Sequence, residues 1–310
     1  MASRRSRRRL GTGLLLLGCA ALLLGIGFWF GGRMEARLRP AAPRVGSPPP
    51  VPAVKPVEEL VKAARPATRP QVEEPAPTPA TPRRESARIA IVIDDLGRSL
   101  AEVDRLEALG VPLSYAVLPF EPRTREIVQR LRGRRAEILC HLPMAARDGE
   151  NAGPGAISAE LPVRRIKRLT EAALDAVTGA VGVNNHMGSQ VTADADAMRA
   201  ILEVVGKRRL FFLDSRTTAE SRAFELARAA GIPAARRTVF LDAEPGVEPV
   251  AEAFAELLAI ARRDGAAIGI GHPRRTTFEL LEREVPAALA AGFEFVPVSY
   301  LLESDEGLPE

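Results

Sequence analysis

The chain has 310 residues, and its charge is divided unevenly along its length. Residues 1–86 contain 15 basic and 6 acidic residues, whereas the rest of the chain contains 28 basic and 33 acidic residues. Nucleic-acid binding needs basic residues clustered on the folded domain, so this distribution argues against a nucleic-acid partner. Of the two cysteines, Cys19 lies in an apolar run and only Cys140 lies in the second part, which excludes a disulfide within that part.

An apolar run of 21 uncharged residues, 10–30, follows the basic segment 1–9. It is long enough to cross a bilayer, and the positive-inside preference keeps the N-terminus in the cytoplasm. We therefore predict a signal anchor over residues 10–32 and a single-pass protein of the inner (cytoplasmic) membrane, with its domain in the periplasm or outside the cell. A cleaved signal peptide and a lipoprotein signal ending at Cys19 are the alternatives. The anchor is favoured because cleavable peptides have shorter apolar regions, of about 7–15 residues.

Residues 33–86 form a predicted stalk. Thirteen of the 26 prolines fall between residues 40 and 82, without a hydrophobic period. Proline fixes φ and removes backbone donors, so this composition predicts a disordered, extended spacer.

Short β-rich runs alternate with amphipathic stretches over residues 87–302, and an acidic tail, 303–310, follows. The predicted strands are 89–93, 113–118, 137–140, 181–183, 210–213, 239–241, 267–270 and 293–298, with helices such as 163–177 and 195–205 between them. This alternation predicts a parallel sheet covered by helices, either an open doubly wound sheet or a barrel. The number of strands favours a distorted (β/α) barrel of seven or eight mostly parallel strands.

Polar residues follow the predicted strands, and all three histidines of the chain are among them. These residues are Asp94, Asp95, His141, Asn184, Asn185, His186, Asp214 and His272, with Asp242 as a further candidate. Barrel enzymes collect their chemistry at the carboxyl ends of strands, so one pocket is expected to receive these side chains. Carboxylates together with imidazoles predict a metal site that keeps an open position for water.

Several of these positions resemble the motifs of one family. Residues 91–97 (Ile-Val-Ile-Asp-Asp-Leu-Gly) resemble the Thr-Phe-Asp-Asp-Gly strand end of polysaccharide deacetylases. Residues 141–144, 184–190, 212–217, 239–242 and 269–273 are similar to the divergent branch of that superfamily, and the resemblance covers residues 88–302. It implies a distorted barrel that removes acetyl groups from an acetylated poly- or oligosaccharide of the cell envelope or exterior.

The resemblance also implies roles for individual residues. Asp94 corresponds to the base and Asp95 to a metal ligand, which requires the strand ladder to end between them because adjacent residues alternate in direction. The ordinary branch has two histidines four residues apart, but Ala145 and Gln190 stand four residues after His141 and His186. One histidine from each strand is therefore expected to complete the site for a divalent metal, with zinc as the expected ion.

The other candidate residues have more than one interpretation. His272 matches a histidine that protonates the leaving group, or else it is a third metal ligand. Asp214 orients His272, binds metal or caps the next helix, and Asn184 or Asn185 stabilises the oxyanion. The alternative function is a catalytically degenerate metal- or glycan-binding envelope protein.

Overall fold

The computed structural model describes residues 86–303. The predicted cytoplasmic segment, anchor, stalk and acidic tail lie outside these residues, apart from Ser86 and Glu303. Within the described range, no helix has both the length and the apolar character that crossing a membrane would require.

Strands and helices alternate along the described residues, as the sequence predicted. The elements are β1 (Arg88–Leu96), α1 (Leu100–Glu107), β2 (Ser114–Val117), α2 (Thr124–Gly133), β3 (Glu137–Met144), α3 (Val163–Ala176), β4 (Gly182–Met187), α4 (Ala195–Lys207), β5 (Phe211–Asp214), α5 (Ala223–Ala229), β6 (Ala234–Arg236), β7 (Val239–Phe240), α6 (Val247–Asp264), β8 (Ala266–Gly271), α7 (Arg275–Ala290), β9 (Glu294–Phe295) and α8 (Val298–Glu303). Each predicted strand has a counterpart. The sequence analysis missed β6, whose three residues Ala-Ala-Arg carry no β-branched or aromatic side chain.

The strands form one parallel sheet with the order β6-β5-β4-β3-β2-β1-β8-β7, and β9 pairs with β1. The strands at the two ends of this order, β6 and β7, are consecutive in the chain and are joined directly by Arg237 and Thr238. The sheet must therefore curl until its two edges approach each other, although no pairing joins β6 to β7 within residues 86–303. This curled parallel sheet fits the predicted distorted barrel.

Two apolar layers hold the sheet. One layer packs strand residues such as Ile91 against helix residues such as Leu106 and Ile201. The other contains alternate strand residues, including Val92 and Leu139, and forms the interior of the curled sheet. Strand alternation therefore decides which side chains reach the interior.

Helix α8 packs against the amino-terminal ends of the strands. The carboxylate of Glu137 accepts hydrogen bonds from the backbone N–H groups of Val298 (2.8 Å) and Ser299 (3.1 Å), and from the hydroxyl of Ser114 (2.6 Å). The carboxylate thus satisfies the free donors at the start of the helix. The opposite end of the sheet, where the strands reach their carboxyl ends, carries the candidate site.

Candidate metal centre

Three donor atoms from three strands converge at the carboxyl end of the sheet. Asp95 Oδ1 lies 3.1 Å from His141 Nε2 and 2.8 Å from His186 Nδ1, and these two nitrogens lie 3.2 Å apart. Ligands bonded to one ion at about 2.0–2.2 Å lie about 3–3.5 Å from each other. The three predicted ligands therefore fit a divalent metal ion in both chemistry and spacing.

A β-bulge allows the adjacent residues Asp94 and Asp95 to face the same site. In the pairing of β1 with β2, Ile93 lies opposite Tyr115 and Leu96 opposite Val117, so β1 contains one extra residue. Asp95 has a φ of 58°, in the left-handed region. The expectation that the strand ends between the two aspartates was wrong, because β1 continues to Leu96 and the bulge reorients Asp95 instead.

His141 is fixed beneath the site by a buried amide. The Nδ1–H group of His141 donates to Asn184 Oδ1 at 2.9 Å, which leaves Nε2 free as a ligand. Asn184 Nδ2 in turn donates to Asp94 Oδ1 at 2.7 Å and to Ser215 Oγ at 3.3 Å. The prediction that Asn184 contacts an oxyanion is therefore wrong, because the hydrogen bonds of its buried amide go to His141, Asp94 and Ser215.

Asn185 points to the opposite face of β4, because adjacent strand residues alternate in direction. Its Nδ2 donates to Met187 O at 2.7 Å, and its Oδ1 accepts from the backbone N–H of Ser215 at 2.9 Å. Asn185 thus joins the ends of β4 and β5, and the structure corrects its predicted oxyanion contact. By the same alternation, Cys140 lies in the outer apolar layer, where burial raises the pKa of its thiol to about 12.

Burial and neighbouring charges shift the pKa values of the residues in the site. Burial raises the pKa of Asp94, and the neighbouring charge of Asp95 acts in the same direction. Burial also opposes ionisation of Asp95, but hydrogen bonds from His141 and His186 hold its pKa well below the usual range. Burial lowers and the two carboxylates raise the pKa of His141, with a net increase. Two carboxylates beside two imidazoles favour a divalent cation.

His272 faces the same end of the sheet and is held by Asp242. Its Nδ1–H donates to Asp242 Oδ1 at 2.8 Å, and its backbone N–H donates to Asp242 Oδ2 at 2.8 Å. Burial opposes protonation, but this hydrogen bond and the charge of Asp242 raise the pKa of His272. Ile93 pairs with Gly271 across β1 and β8, so Asp94 and His272 follow neighbouring positions on adjacent strands.

Asp214 does not orient His272, contrary to one of the predictions. It follows Leu213, an interior residue, and therefore faces the outer side of the sheet. Its carboxylate accepts from the hydroxyl of Ser221 at 2.7 Å and from the backbone N–H of Arg216 at 2.8 Å. Asp214 thus organises the loop before α5. Asp242, and not Asp214, orients His272. The position of Asp242 after β7, next to the strand that carries His272, was the signal for this pairing.

The donor cluster is partly exposed to solvent. The side chains of Asp95 and His186 are 34% and 20% exposed, whereas those of Asp94 and His141 are almost fully buried. A cavity of about 990 Å³ lies near the amino-terminal ends of the strands, where Leu113 contributes to its lining. None of the candidate site residues lines that cavity, so the site is identified by its donor geometry.

Fold and site together define a parallel α/β protein with an Asp-His-His cluster and a separate His-Asp pair at the carboxyl ends of its strands. Residues 91–302 match the family model described as divergent polysaccharide deacetylase. The chain therefore belongs to the divergent polysaccharide deacetylase family, which confirms the resemblance seen in the sequence.

The chain is also similar to several uncharacterized proteins. The chain is similar to the uncharacterized protein YibQ of Escherichia coli strain K12, with 33% identity over 200 residues, 64% of this chain and 63% of the relative. An uncharacterized protein of Haemophilus influenzae is 34% identical over 196 residues, 63% of this chain and 70% of the relative. The crystal structure of an uncharacterized protein from Agrobacterium tumefaciens C58 is 28% identical with a TM-score of 0.64, and the match covers 72% of this chain and 92% of that protein.

Proposed function

We propose that this protein is a metal-dependent hydrolase that removes acetyl groups from a carbohydrate of the cell envelope. The observation that carries the proposal is the triangle of Asp95, His141 and His186 donor atoms, with sides of 2.8–3.2 Å, beside a buried carboxylate. Such a cluster suits zinc or a similar divalent ion. When bound, an ion of this kind lowers the pKa of water and polarises a carbonyl oxygen.

Asp94 acts as the base in this proposal. Its Oδ2 lies 3.7 Å from His141 Nε2, so it borders the donor triangle without belonging to it. Water attacks the acetyl carbonyl carbon, and Asp94 takes the proton that the water loses. The hydrogen bond from Asn184 to Asp94 Oδ1 leaves Oδ2 directed towards the cluster, which supports this role.

His272 donates the proton that the leaving group requires. The carbon–nitrogen bond of an acetamide, or the carbon–oxygen bond of an acetyl ester, breaks as His272 Nε2 protonates the departing sugar atom, and acetate is released. The raised pKa of His272 supports this role, because the imidazole must be protonated at the start of the step. Asp242 holds the ring through Nδ1, so that Nε2 is the nitrogen available to the substrate.

Acetate release from acetylated chito- and xylo-oligosaccharides tests the proposal, using the full chain with zinc, cobalt or a chelator. We expect metal-dependent release that is lost in Asp94→Asn, and metal retention that is lost in His141→Ala and His186→Ala. Asp104→Asn is the matched control, since Asp104 forms only a surface ion pair with Arg130. Unchanged metal retention in both histidine variants would refute the site. Metal retention without acetate release would favour the alternative, a catalytically degenerate metal- or glycan-binding protein.

A further inference from the structure

A groove crosses the outer face of the sheet where a connecting helix is missing. Helices connect the other successive strands within the described residues, but β6 passes to β7 through Arg237 and Thr238 alone. The sheet therefore remains uncovered between α5 and α6. The resulting groove has a volume of about 650 Å³ and is lined by residues of α5, β6 and α6.

The groove is strongly basic, although residues 87–310 contain more acidic than basic residues. Five arginines line it, against the two acidic residues Glu225 and Asp264, and we call it the arginine groove: Arg216, Arg228, Arg236, Arg237 and Arg263. Arg263 forms an ion pair with Asp264 at 2.7 Å. The other four arginines have no ion pair with a carboxylate anywhere in residues 86–303. Five cations against two acidic residues leave a net positive charge, which creates a local positive potential that attracts anions.

Two of these arginines are held in place by contacts that do not neutralise them. Arg237 donates from Nε to Ser215 O at 2.7 Å and from Nη2 to Arg216 O at 3.0 Å, and its guanidinium lies 4.0 Å from the centre of the Phe240 ring. Arg236 lies over the ring of Phe224 at 5.2 Å. Burial and the charge of Arg216 lower the pKa of Arg237 to about 10, although the charges of Asp214 and Asp94 act in the opposite direction.

Backbone strain also supports a role for Arg216. Its φ of 47° lies in the left-handed region, which is unfavourable for a residue with a Cβ. The carbonyl of Arg216 receives the hydrogen bond from Arg237, so the strained turn brings the two cations to the same end of the groove. A glycine would relieve the strain but would remove one of the charges.

The arginine groove is linked to the candidate metal centre through Ser215. Its carbonyl accepts from Arg237 Nε, and its hydroxyl accepts from Asn184 Nδ2, which also binds Asp94. Ser215 and Asn184 are buried, so this link is structural and joins the wall of the groove to residues that border the metal centre.

We propose that the arginine groove binds an anionic glycan strand. A volume of about 650 Å³ suits a segment of one or two sugars. The arginine side chains complement carboxylate or phosphate groups on those sugars. The choice of a glycan over another polyanion rests on the proposed function, whereas the preference for negative charge rests on the groove alone.

Binding of polygalacturonate to the full chain tests the proposal, with methyl-esterified polygalacturonate as the neutral comparison. The key variant is Arg228→Gln combined with Arg236→Gln, which removes two groove charges and leaves the metal centre intact. The control is Arg164→Gln combined with Arg165→Gln, two exposed arginines at the start of α3. Both variants have the same net charge and the same basic residues 1–86, so any difference between them reports on the groove.

We expect the groove variant to bind polygalacturonate about five- to tenfold more weakly than the control at low salt, with the difference shrinking as salt is added. Acetate release from short neutral oligosaccharides should be the same in both variants. Equal polygalacturonate affinities, or equally tight binding of the neutral ester, would overturn the proposal. Poly-L-glutamate binding as tightly and with the same variant dependence would overturn the glycan assignment. Groove-dependent binding without any acetate release would uphold the groove and count against the deacetylase function alone.

Discussion

Replacing Asn184 by alanine tests how the site is built. The side-chain amide accepts a hydrogen bond from His141 at 2.9 Å and donates one to Asp94 at 2.7 Å, and all three residues are buried. The variant leaves one buried carboxylate oxygen and one buried ring nitrogen without these partners. Each such loss costs about 1–3 kcal/mol, so we expect the free energy of unfolding to fall by about 2–6 kcal/mol.

The same change should weaken metal binding. Without Asn184, neither the tautomer nor the ring orientation of His141 is fixed, and losses of this kind reduce metal affinity about 10- to 100-fold. Chelator competition measures the zinc affinity, and urea unfolding of the metal-free protein measures stability. Ser114→Ala is the control, because this buried hydroxyl lies at the opposite end of the sheet, where it donates to Glu137. That variant should lose stability and keep its zinc affinity. Wild-type zinc affinity in Asn184→Ala would refute the reasoning.

Two further predictions concern the proposed acid and the sheet interior. Asp242→Asn should lower the pKa of His272, so the alkaline limb of the kcat profile for acetate release moves to lower pH and kcat falls about tenfold or more. Because the pKa of His272 is higher in the folded state than its unfolded value of about 6.5, protonated His272 stabilises the fold at low pH. This stabilisation is lost as the pH rises through the folded-state pKa. Urea unfolding should therefore show that the variant loses more stability at pH 6 than at pH 9. An alkaline limb that stays at its wild-type pH, or a loss of stability that is the same at pH 6 and pH 9, would contradict the pairing of Asp242 with His272. Gly182→Ala should lower stability by about 1–3 kcal/mol in thermal or urea unfolding, because its Cβ would lie 2.5 Å from the Phe211 ring. Gly133→Ala, whose Cβ meets no described atom within 4 Å, is the matched control, and an equal effect of the two changes would contradict this packing argument.

Local sequence patterns predicted the βα alternation because hydrophobic periodicity is a property of short segments. They also indicated the ligands, since Asp95, His141 and His186 occur where strands end. The short strand β6 could not be predicted, because Ala-Ala-Arg has no β signature and is a strand only through its pairing with β5.

Side-chain partners were harder to predict than side-chain positions. Asp214 and Asp242 both follow strands, and only the position of Asp242 directly before β8 in the order of strands along the chain favours it as the partner of His272. The difference arises because Asp214 lies on the outer face, whereas Asp242 is adjacent to the end of β8. Asn184 was correctly placed near the site, but its hydrogen bonds connect residues 43 and 90 positions away.

The sequence by itself determined the alternation of strands and helices, the family and the ligand types, because these depend on composition and local order. Only the tertiary structure decided how Asp94 and Asp95 share one site, since the bulge depends on the register between β1 and β2. It also decided which aspartate holds His272 and where the arginine groove lies. These features depend on contacts between distant segments, which form only when the parallel sheet curls and brings its strand ends together.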